Sequence, residues 1–138
     1  MLIEQQIAER RERAAAAPLE VVKRPAGGLY GDYTVKSGSG RTYRVAVRGP
    51  GLFENYCSCP DFAVNTLGTC KHIEGMLLLL RQRHRKALEK ASYQRTRASI
   101  SLQYGDTIEA RLRLPASPSP ALRSLAAEYF DAAGLLRR

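Results

Sequence analysis

The chain has 138 residues, of which 44% are hydrophobic and 25% charged, and this length excludes an enzyme built on a large catalytic core. Its 22 Lys and Arg against 13 Asp and Glu give a net charge of +9, which favours a polyanionic partner. The longest apolar run, Met76 to Leu80, is far shorter than the roughly 20 residues of a membrane span, and Glu4 and Glu9 interrupt any secretory signal. We therefore expect a globular protein of the cytoplasm.

The first 29 residues predict a helical leader and a linker. Residues 2–16 are rich in Ala, Glu and Arg but have too few apolar positions for a continuous stripe. We therefore expect a solvated or frayed helix that Pro18 ends. Residues 17–29, which close with Gly27 and Gly28, have the composition of a linker.

A small antiparallel sheet is predicted next. Tyr33 and Val35 alternate with polar residues, and Tyr43, Val45 and Val47 share one face of a second run. A Gly/Ser turn separates the two runs, as in a β-hairpin. After a Gly-Pro-Gly break, residues 52–56 predict a short further strand.

A long helix is predicted from Cys70 to about Ser92. At about 100° per residue its apolar side chains fall within one arc. They are Ile73, Met76, Leu77, Leu80, Ala87, Leu88 and Ala91. His84 lies in the middle of this arc, so we expect a core or boundary histidine with one satisfied hydrogen bond.

Residues 93–138 predict a β-hairpin, a Pro/Ser linker and a helix. Two alternating runs flank the turn pair Gly105-Asp106, and Ser119 followed by proline predicts the start of a helix that ends at Gly134. A hairpin and a single helix cannot bury both apolar faces. We therefore expect this segment to dock on the first part of the chain or on a partner.

The strongest chemical signal is a cluster of metal-ligand residues. All three cysteines and one of the two histidines fall inside 16 residues, in the pattern CxC, ten residues, CxH. A Cys₃His set closes a tetrahedral zinc site, and four protein ligands leave no open position for catalysis. The alternatives are a chance cluster and a redox dithiol, which needs an exposed thiolate of lowered pKa. We expect one structural Zn²⁺ bound by Cys57, Cys59, Cys70 and His72.

The spacing also predicts where these ligands lie. Residues two apart in a strand are separated by about 6.5 Å, so the chain must leave extended geometry between Cys57 and Cys59. Residues two apart in a helix point about 200° apart, so Cys70 must precede the helix that has His72 in its first turn. His84 is excluded as a ligand, because twelve helical residues rise about 18 Å. The site should join the end of a strand to the start of a helix.

The residues CSCPDF at 57–62 and GTCKHI at 68–73, between a Tyr- and Val-rich hairpin and an apolar helix, closely resemble the SWIM zinc finger. This resemblance covers residues 30–80 and implies a DNA-binding or protein-interaction finger. Such fingers occur in bacterial Swi/Snf-type helicase-like ATPases, Mutator-type transposases and some eukaryotic regulators. The tail more loosely resembles the segment that joins SWIM to the ATPase in the bacterial proteins.

The chain departs from those bacterial proteins in one respect. No GxxxxGK followed by Ser or Thr occurs, so nothing in this sequence predicts a cradle for a triphosphate. The resemblance therefore implies either an N-terminal part of such a protein or a free-standing relative.

The positive charge is concentrated in residues 81–97, which carry 7 positive charges and 1 negative, and so 6 of the 9 net charges. A charge run is usually a solvated helix face, but this one extends from the predicted metal-anchored helix, and arginine suits phosphate. Tyr93 is the one aromatic in the run, so phosphate contact is favoured over base stacking. The residues expected to contact nucleic acid are Arg81, Arg83, Arg85, Lys86, Lys90, Arg95 and Arg97.

Together these patterns predict an α+β fold: a small antiparallel sheet and a long helix held by one zinc, followed by a hairpin and a helix. The predicted divisions are a leader and linker (1–29), a SWIM-like domain with a basic extension (30–92) and a docking segment (93–138). The predicted function is nucleic-acid binding, to DNA and hence at the nucleoid, as part of or partner to a helicase-like ATPase in cis or trans. The alternative is a protein-interaction module without nucleic-acid contact. No paired carboxylates or Ser/His/Asp set predicts an enzyme.

Overall fold

The computed structural model describes residues 2–137, and the chain divides into two units after Tyr93. Met1, the first residue of the predicted leader, and Arg138, the last residue of the predicted docking segment, lie outside the described residues. The elements are α1 (Ile3–Ala16), β1 (Glu20–Lys23), β2 (Gly31–Lys36), β3 (Thr42–Val47), β4 (Tyr56–Cys57), α2 (Pro60–Asn65), α3 (Lys71–Lys90), β5 (Ser99–Tyr104), β6 (Ile108–Arg113) and α4 (Pro120–Tyr129). The α+β class with antiparallel sheets is as predicted. Within residues 2–137, every helix is too short or too polar to cross a bilayer.

The sheet of the first unit is an antiparallel meander in the order β1-β2-β3-β4. The predicted hairpin of β2 and β3 is present, and its turn closes through a bond of 2.8 Å from the Ser37 amide to the Arg41 carbonyl. Three successive residues of β3, Val45 to Val47, are buried. Because successive strand residues point to opposite faces, both faces of the sheet are covered at this point.

Two stretches around this sheet differ from the prediction. The predicted linker over residues 17–29 contains β1, whose Glu20 pairs with Lys36 of β2. The strand predicted over residues 52–56 begins only at Tyr56. The residues before it form a turn, in which the Gly51 amide donates to the Glu54 carboxylate over 2.6 Å.

The core lies between α3 and this sheet. The first half of α3 buries four side chains against Tyr33, Val35, Val45 and Val47; they are Ile73, Met76, Leu77 and Leu80. The second half diverges from the predicted apolar arc. His84 has non-helical φ −139° and ψ 38°, which kinks the helix, and both His84 and Ala87 are exposed. The expectation that His84 is a core or boundary residue is therefore wrong.

The predicted solvated leader instead packs on the first unit. Helix α1 lies against α3 and buries Ile7 and Ala14. Gly75 of α3 permits this approach, since a Cβ there would lie 2.9 Å from Leu19 Cδ1 and 3.7 Å from Ala14 Cβ. An ion pair of 2.6 Å from Arg11 to the buried Glu74 also joins the two helices. Helix α1 is thus part of the unit that carries the metal-ligand residues.

The second unit contains the predicted hairpin and helix. In β5 and β6, Ile100 faces Leu112. Leu135 forms an isolated bridge with Arg111, and beside it the Leu112 amide donates to the Gly134 carbonyl over 2.7 Å. Helix α4 begins at its predicted Ser119 cap but ends at Tyr129, because the next residue turns into extended backbone. Among residues 94–137, none is buried.

Candidate metal centre

Three local elements deliver the four predicted ligands to one point. Cys57 ends β4, which pairs with Val45 of β3. Cys59 and Cys70 are the N-cap residues of α2 and α3, with extended backbone, and His72 lies in the first turn of α3. This is the predicted arrangement: the chain leaves the strand between the first two cysteines, and Cys70 precedes the helix. The short helix α2, which begins at Pro60, was not predicted.

The side-chain distances suit a tetrahedral metal. The four ligand atoms lie within 4.8 Å of one another, and all four residues are buried. The Nδ1 atom of His72 lies 3.7 Å from Cys57 Sγ and 3.9 Å from Cys70 Sγ. Ideal tetrahedral zinc requires about 3.6 Å between nitrogen and sulfur and about 3.8 Å between two sulfurs. The cluster therefore fits one zinc ion, with Nδ1 as the histidine ligand.

The three thiols cannot all ionise in this pocket without a cation. Hydrogen bonds from Cys57 and Cys70 lower the pKa of Cys59, and its sulfur also accepts from the Phe62 amide at 3.4 Å. The hydrogen bond to Cys59 raises the pKa of Cys57 to about 12, and hydrogen bonds to its two neighbours raise the pKa of Cys70. Only a bound cation can hold three thiolates together, which matches the predicted zinc.

Burial also disfavours the redox alternative. All three cysteines are free thiols, and each is buried. Redox-active cysteines are exposed thiolates that can reach another thiol or disulfide. The geometry therefore favours a structural metal site over a dithiol.

The loop before Cys70 is held by residues that the sequence analysis did not identify. The Thr69 hydroxyl donates to Glu74 Oε2 over 2.8 Å, and Arg11 Nε donates to Glu74 Oε1 over 2.6 Å. The Asn65 side chain donates from Nδ2 to the Thr69 carbonyl over 2.8 Å. Thr69 and Glu74 are both buried, so these bonds fix the backbone that presents Cys70. The available signal was Glu74 itself, a carboxylate that directly precedes the apolar stretch of the helix.

A second ion pair connects α1 to the start of α2. Arg10 donates two hydrogen bonds to Asp61, from Nε over 2.9 Å and from Nη2 over 2.8 Å. The hydrogen bonds from Arg10 hold the pKa of Asp61 below its ordinary range. Since Asp61 follows Cys59 by two residues, α1 helps to position the CxC segment.

The predicted nucleic-acid contacts fall in both units. Five of them are exposed on α3: Arg81, Arg83, Arg85, Lys86 and Lys90. The other two, Arg95 and Arg97, belong to the second unit, where Arg95 donates to the Ser99 hydroxyl over 2.9 Å. The Arg48 guanidinium lies 5.5 Å from the centre of the Tyr93 ring. The structure groups the five α3 cations on one helix, and their contact with nucleic acid stays a prediction.

Comparison with known proteins agrees with the metal-ligand pattern. The family model of the SWIM zinc finger matches residues 43–80, which include β3, all four ligands and the buried half of α3. Comparisons with curated proteins and with solved structures give no match. Residues 43–80 are therefore a SWIM zinc-finger module whose cysteine and histidine cluster fits one zinc ion.

Proposed function

We propose that this chain is a zinc-stabilised module that binds nucleic acid, DNA above all, through phosphate contacts. The observation that carries the proposal is the position of the charge. Five exposed cations lie on α3, the helix whose first turn supplies His72 to the metal site. The metal anchors the first half of α3, which carries Arg81 and Arg83, and the other three cations follow the kink at His84. Arginine binds phosphate through its planar fork. The proposal assigns no catalytic step to the chain.

The salt dependence of DNA binding tests this proposal. If four to six cations neutralise phosphates, the logarithm of the association constant should fall with the logarithm of salt concentration at a slope of about −4 to −5. Fluorescence anisotropy of a labelled duplex measures this slope. A flat response would contradict the proposal.

A matched pair of charge-reversal variants locates the contact. Reversal of Arg83, Arg85 and Lys86 to glutamate should abolish binding to the duplex. Reversal of Lys23, Arg24 and Arg41, which are exposed cations of the same unit outside the run, changes the net charge equally and should weaken binding far less. Equal losses in the two variants would indicate a net-charge effect instead of a defined surface.

The proposal includes a helicase-like ATPase in cis or trans as the context of this binding. Its support is the SWIM match over residues 43–80 together with the looser resemblance of the tail to the segment that precedes such ATPases. Binding to a duplex alone does not require this partner. The two parts of the proposal are therefore tested separately.

A protein-interaction module is the second candidate, and the second unit favours it. Ile100 is 63% exposed and Ile108 62% exposed, although both lie in the hairpin of β5 and β6. Leu125 and Tyr129 of α4 are also more than half exposed. Exposed apolar surface of this kind marks a binding face. The proposed partner is the ATPase domain.

Hydrogen exchange tests this second candidate. A helicase-like ATPase domain added to the full chain should protect the amides of β5 and β6. The variant with Arg83, Arg85 and Lys86 reversed should bind that domain as well as the unchanged chain does. An unprotected hairpin would contradict the second candidate without affecting the DNA-binding proposal.

A further inference from the structure

A cleft of about 300 Å³ lies beside the metal site, at the end of α3 opposite to Lys90. It is enclosed by the end of α1, the turn between β2 and β3, the start of α2 and the start of α3. The residues that matter for its chemistry are Arg13, Ser37, Ser39, Lys71 and His72. The cleft is thus distinct from the basic run on the second half of α3.

The imidazole of His72, which lines this cleft, has a buried nitrogen, Nε2, that lacks a partner among the described residues. Nδ1 faces the cysteine sulfurs, so in the zinc-bound chain Nε2 carries the ring proton and points away from them. His72 is only 3% exposed, and its Nε2 has no hydrogen-bond partner among the described residues. A metal-binding histidine ordinarily donates this N–H to an oxygen acceptor. Here no described residue supplies that acceptor, so water or a bound ligand would have to supply it.

The surroundings of this donor favour an anion. Lys71 is exposed at the first position of a 20-residue helix, whose N-terminus is itself partly positive. Arg13 is exposed as well, and its ion pair with Glu9 is long at 3.9 Å. The Asp61 carboxylate also lines the cleft but is engaged by two bonds from Arg10. Lys71 offsets the single net negative charge of a Cys₃His zinc centre, and Arg13, whose pair with Glu9 is long, adds a second cation that a bound anion could engage.

The turn between β2 and β3 adds two hydroxyls. Ser37 Oγ and Ser39 Oγ lie 2.8 Å from each other at the rim of the cleft. A hydroxyl can rotate to donate to a bound oxygen. The cleft thus has several donors on different walls, which suits a ligand with several acceptor oxygens.

We propose that this cleft binds a phosphate group of the nucleic acid that the basic run engages. The His72 Nε2–H, Arg13 and Lys71 donate to different oxygens of that phosphate, with the serine hydroxyls at its rim. This inference rests on the proposed function for the source of the phosphate. It adds a phosphate contact beside the metal site to the phosphate contacts proposed for the basic run of α3.

Titration with inorganic phosphate tests the site directly. The zinc-loaded full chain is titrated at constant ionic strength, while long-range proton–nitrogen NMR follows the His72 ring and amide spectra follow Lys71 and Ser39. We expect a saturable shift of all three signals, and a much smaller shift with acetate. An absent shift, or an equal response to acetate, would overturn the phosphate assignment.

Two kinds of variant separate binding from folding. The double variant Arg13→Gln and Lys71→Gln should weaken phosphate binding about tenfold, as expected for two exposed ion-pair contacts. Lys23→Gln with Arg24→Gln removes the same charge elsewhere and should have no effect on phosphate binding. His72→Cys converts the ligand set to Cys₄, so it should keep one zinc and yet lose phosphate affinity. Unchanged affinity in both cleft variants would refute the proposal.

A DNA duplex then identifies the source of the phosphate. The duplex should shift the His72 Nε2 signal, and the double variant should weaken duplex binding. If the duplex binds through Arg83 and Arg85 but leaves His72 unshifted, the cleft inference fails and the proposed function stands. If inorganic phosphate binds but no duplex does, the proposed function fails, and with it the nucleic-acid source of the phosphate.

Discussion

Removal of the zinc should unfold residues 50–80 and not merely loosen the site. Structural zinc in small domains has an apparent binding free energy of about 10–16 kcal/mol, much of which is folding free energy. A whole domain is stable by only about 5–15 kcal/mol. The loss of the metal therefore costs about as much free energy as the whole unfolding free energy expected for the first unit. We expect Cys70→Ser to act in the same way as a chelator.

The structure explains why this segment depends on the metal. Strand β4 has two residues, and the six residues of α2 include no buried side chain. Cys57, Cys59 and Cys70 are themselves members of the hydrophobic core, together with Ile73. Without the metal, no ion joins the three buried thiols and the imidazole, so the contacts that hold these four side chains together are lost. The first half of α3 should therefore lose its docking on the sheet.

Hydrogen exchange with mass spectrometry, supported by circular dichroism, measures this effect. Amides of β4, α2 and the first half of α3 should lose protection when the chain is chelated or carries Cys70→Ser. Val64→Ala is the matched control, because Val64 lies in the same segment and is 77% exposed. Unchanged dichroism and exchange in metal-free chain would refute the reasoning.

Three further predictions concern the parts around the site. Gly75→Val should crowd Leu19 and the nearby Ala14 of α1, because a Cβ there already lies 2.9 Å from Leu19 Cδ1, and should cost about 1–3 kcal/mol in urea unfolding of the zinc-loaded chain. Arg10→Ala removes the two bonds to Asp61 and should cost about 1 kcal/mol at neutral pH, whereas Arg13→Ala, whose pair with Glu9 is long, should cost less than about 0.5 kcal/mol. Since Arg10 lowers the pKa of Asp61, this contribution is complete above the ordinary carboxyl pKa and disappears as pH falls through the lowered value. Zinc binding at pH 7.5 should release about three protons if the metal-free chain is unfolded, and about two if its cluster is preformed with one thiolate; calorimetry in two buffers of different ionisation heat distinguishes these outcomes.

The metal centre could be predicted from sequence because its constraints are local. Cys57 and Cys59 are two residues apart, as are Cys70 and His72, and neither pair can share a metal inside one regular element. This requirement places the ligands at the borders of β4, α2 and α3, where the structure has them. The strands β2 and β3 could be predicted for the same reason, because apolar and polar residues alternate within each strand. The start of α4 could be predicted from its N-cap residue Ser119.

The packing of α1 could not be predicted, because its partners are distant in sequence. Its buried face consists of Ile7 and Ala14 alone, too short a stripe to indicate a core helix. Arg10 and Arg11 make their ion pairs with residues 51 and 63 positions away. A glycine, Gly75, inside the first half of α3 was the one local sign of a close neighbour.

Other differences have physical causes at single residues. Strand β1 is a short edge strand with mostly exposed side chains, so its sequence lacks the alternation of a half-buried strand. The 3.6-residue period placed His84 on the apolar face of α3, but the backbone angles at His84 are non-helical and break that period. Periodicity assumes an unbroken helix, and here the helix is kinked.

Native mass spectrometry of the full chain tests the central claim most directly. After metal-free purification and addition of one equivalent of zinc, the folded 15.3 kDa chain should carry one zinc ion. Cys70→Ser should lose that ion, while the matched Val64→Ala variant should keep it. A chain that binds no zinc under these conditions, or a Cys70→Ser variant that holds zinc as tightly as the unchanged chain, would contradict the account.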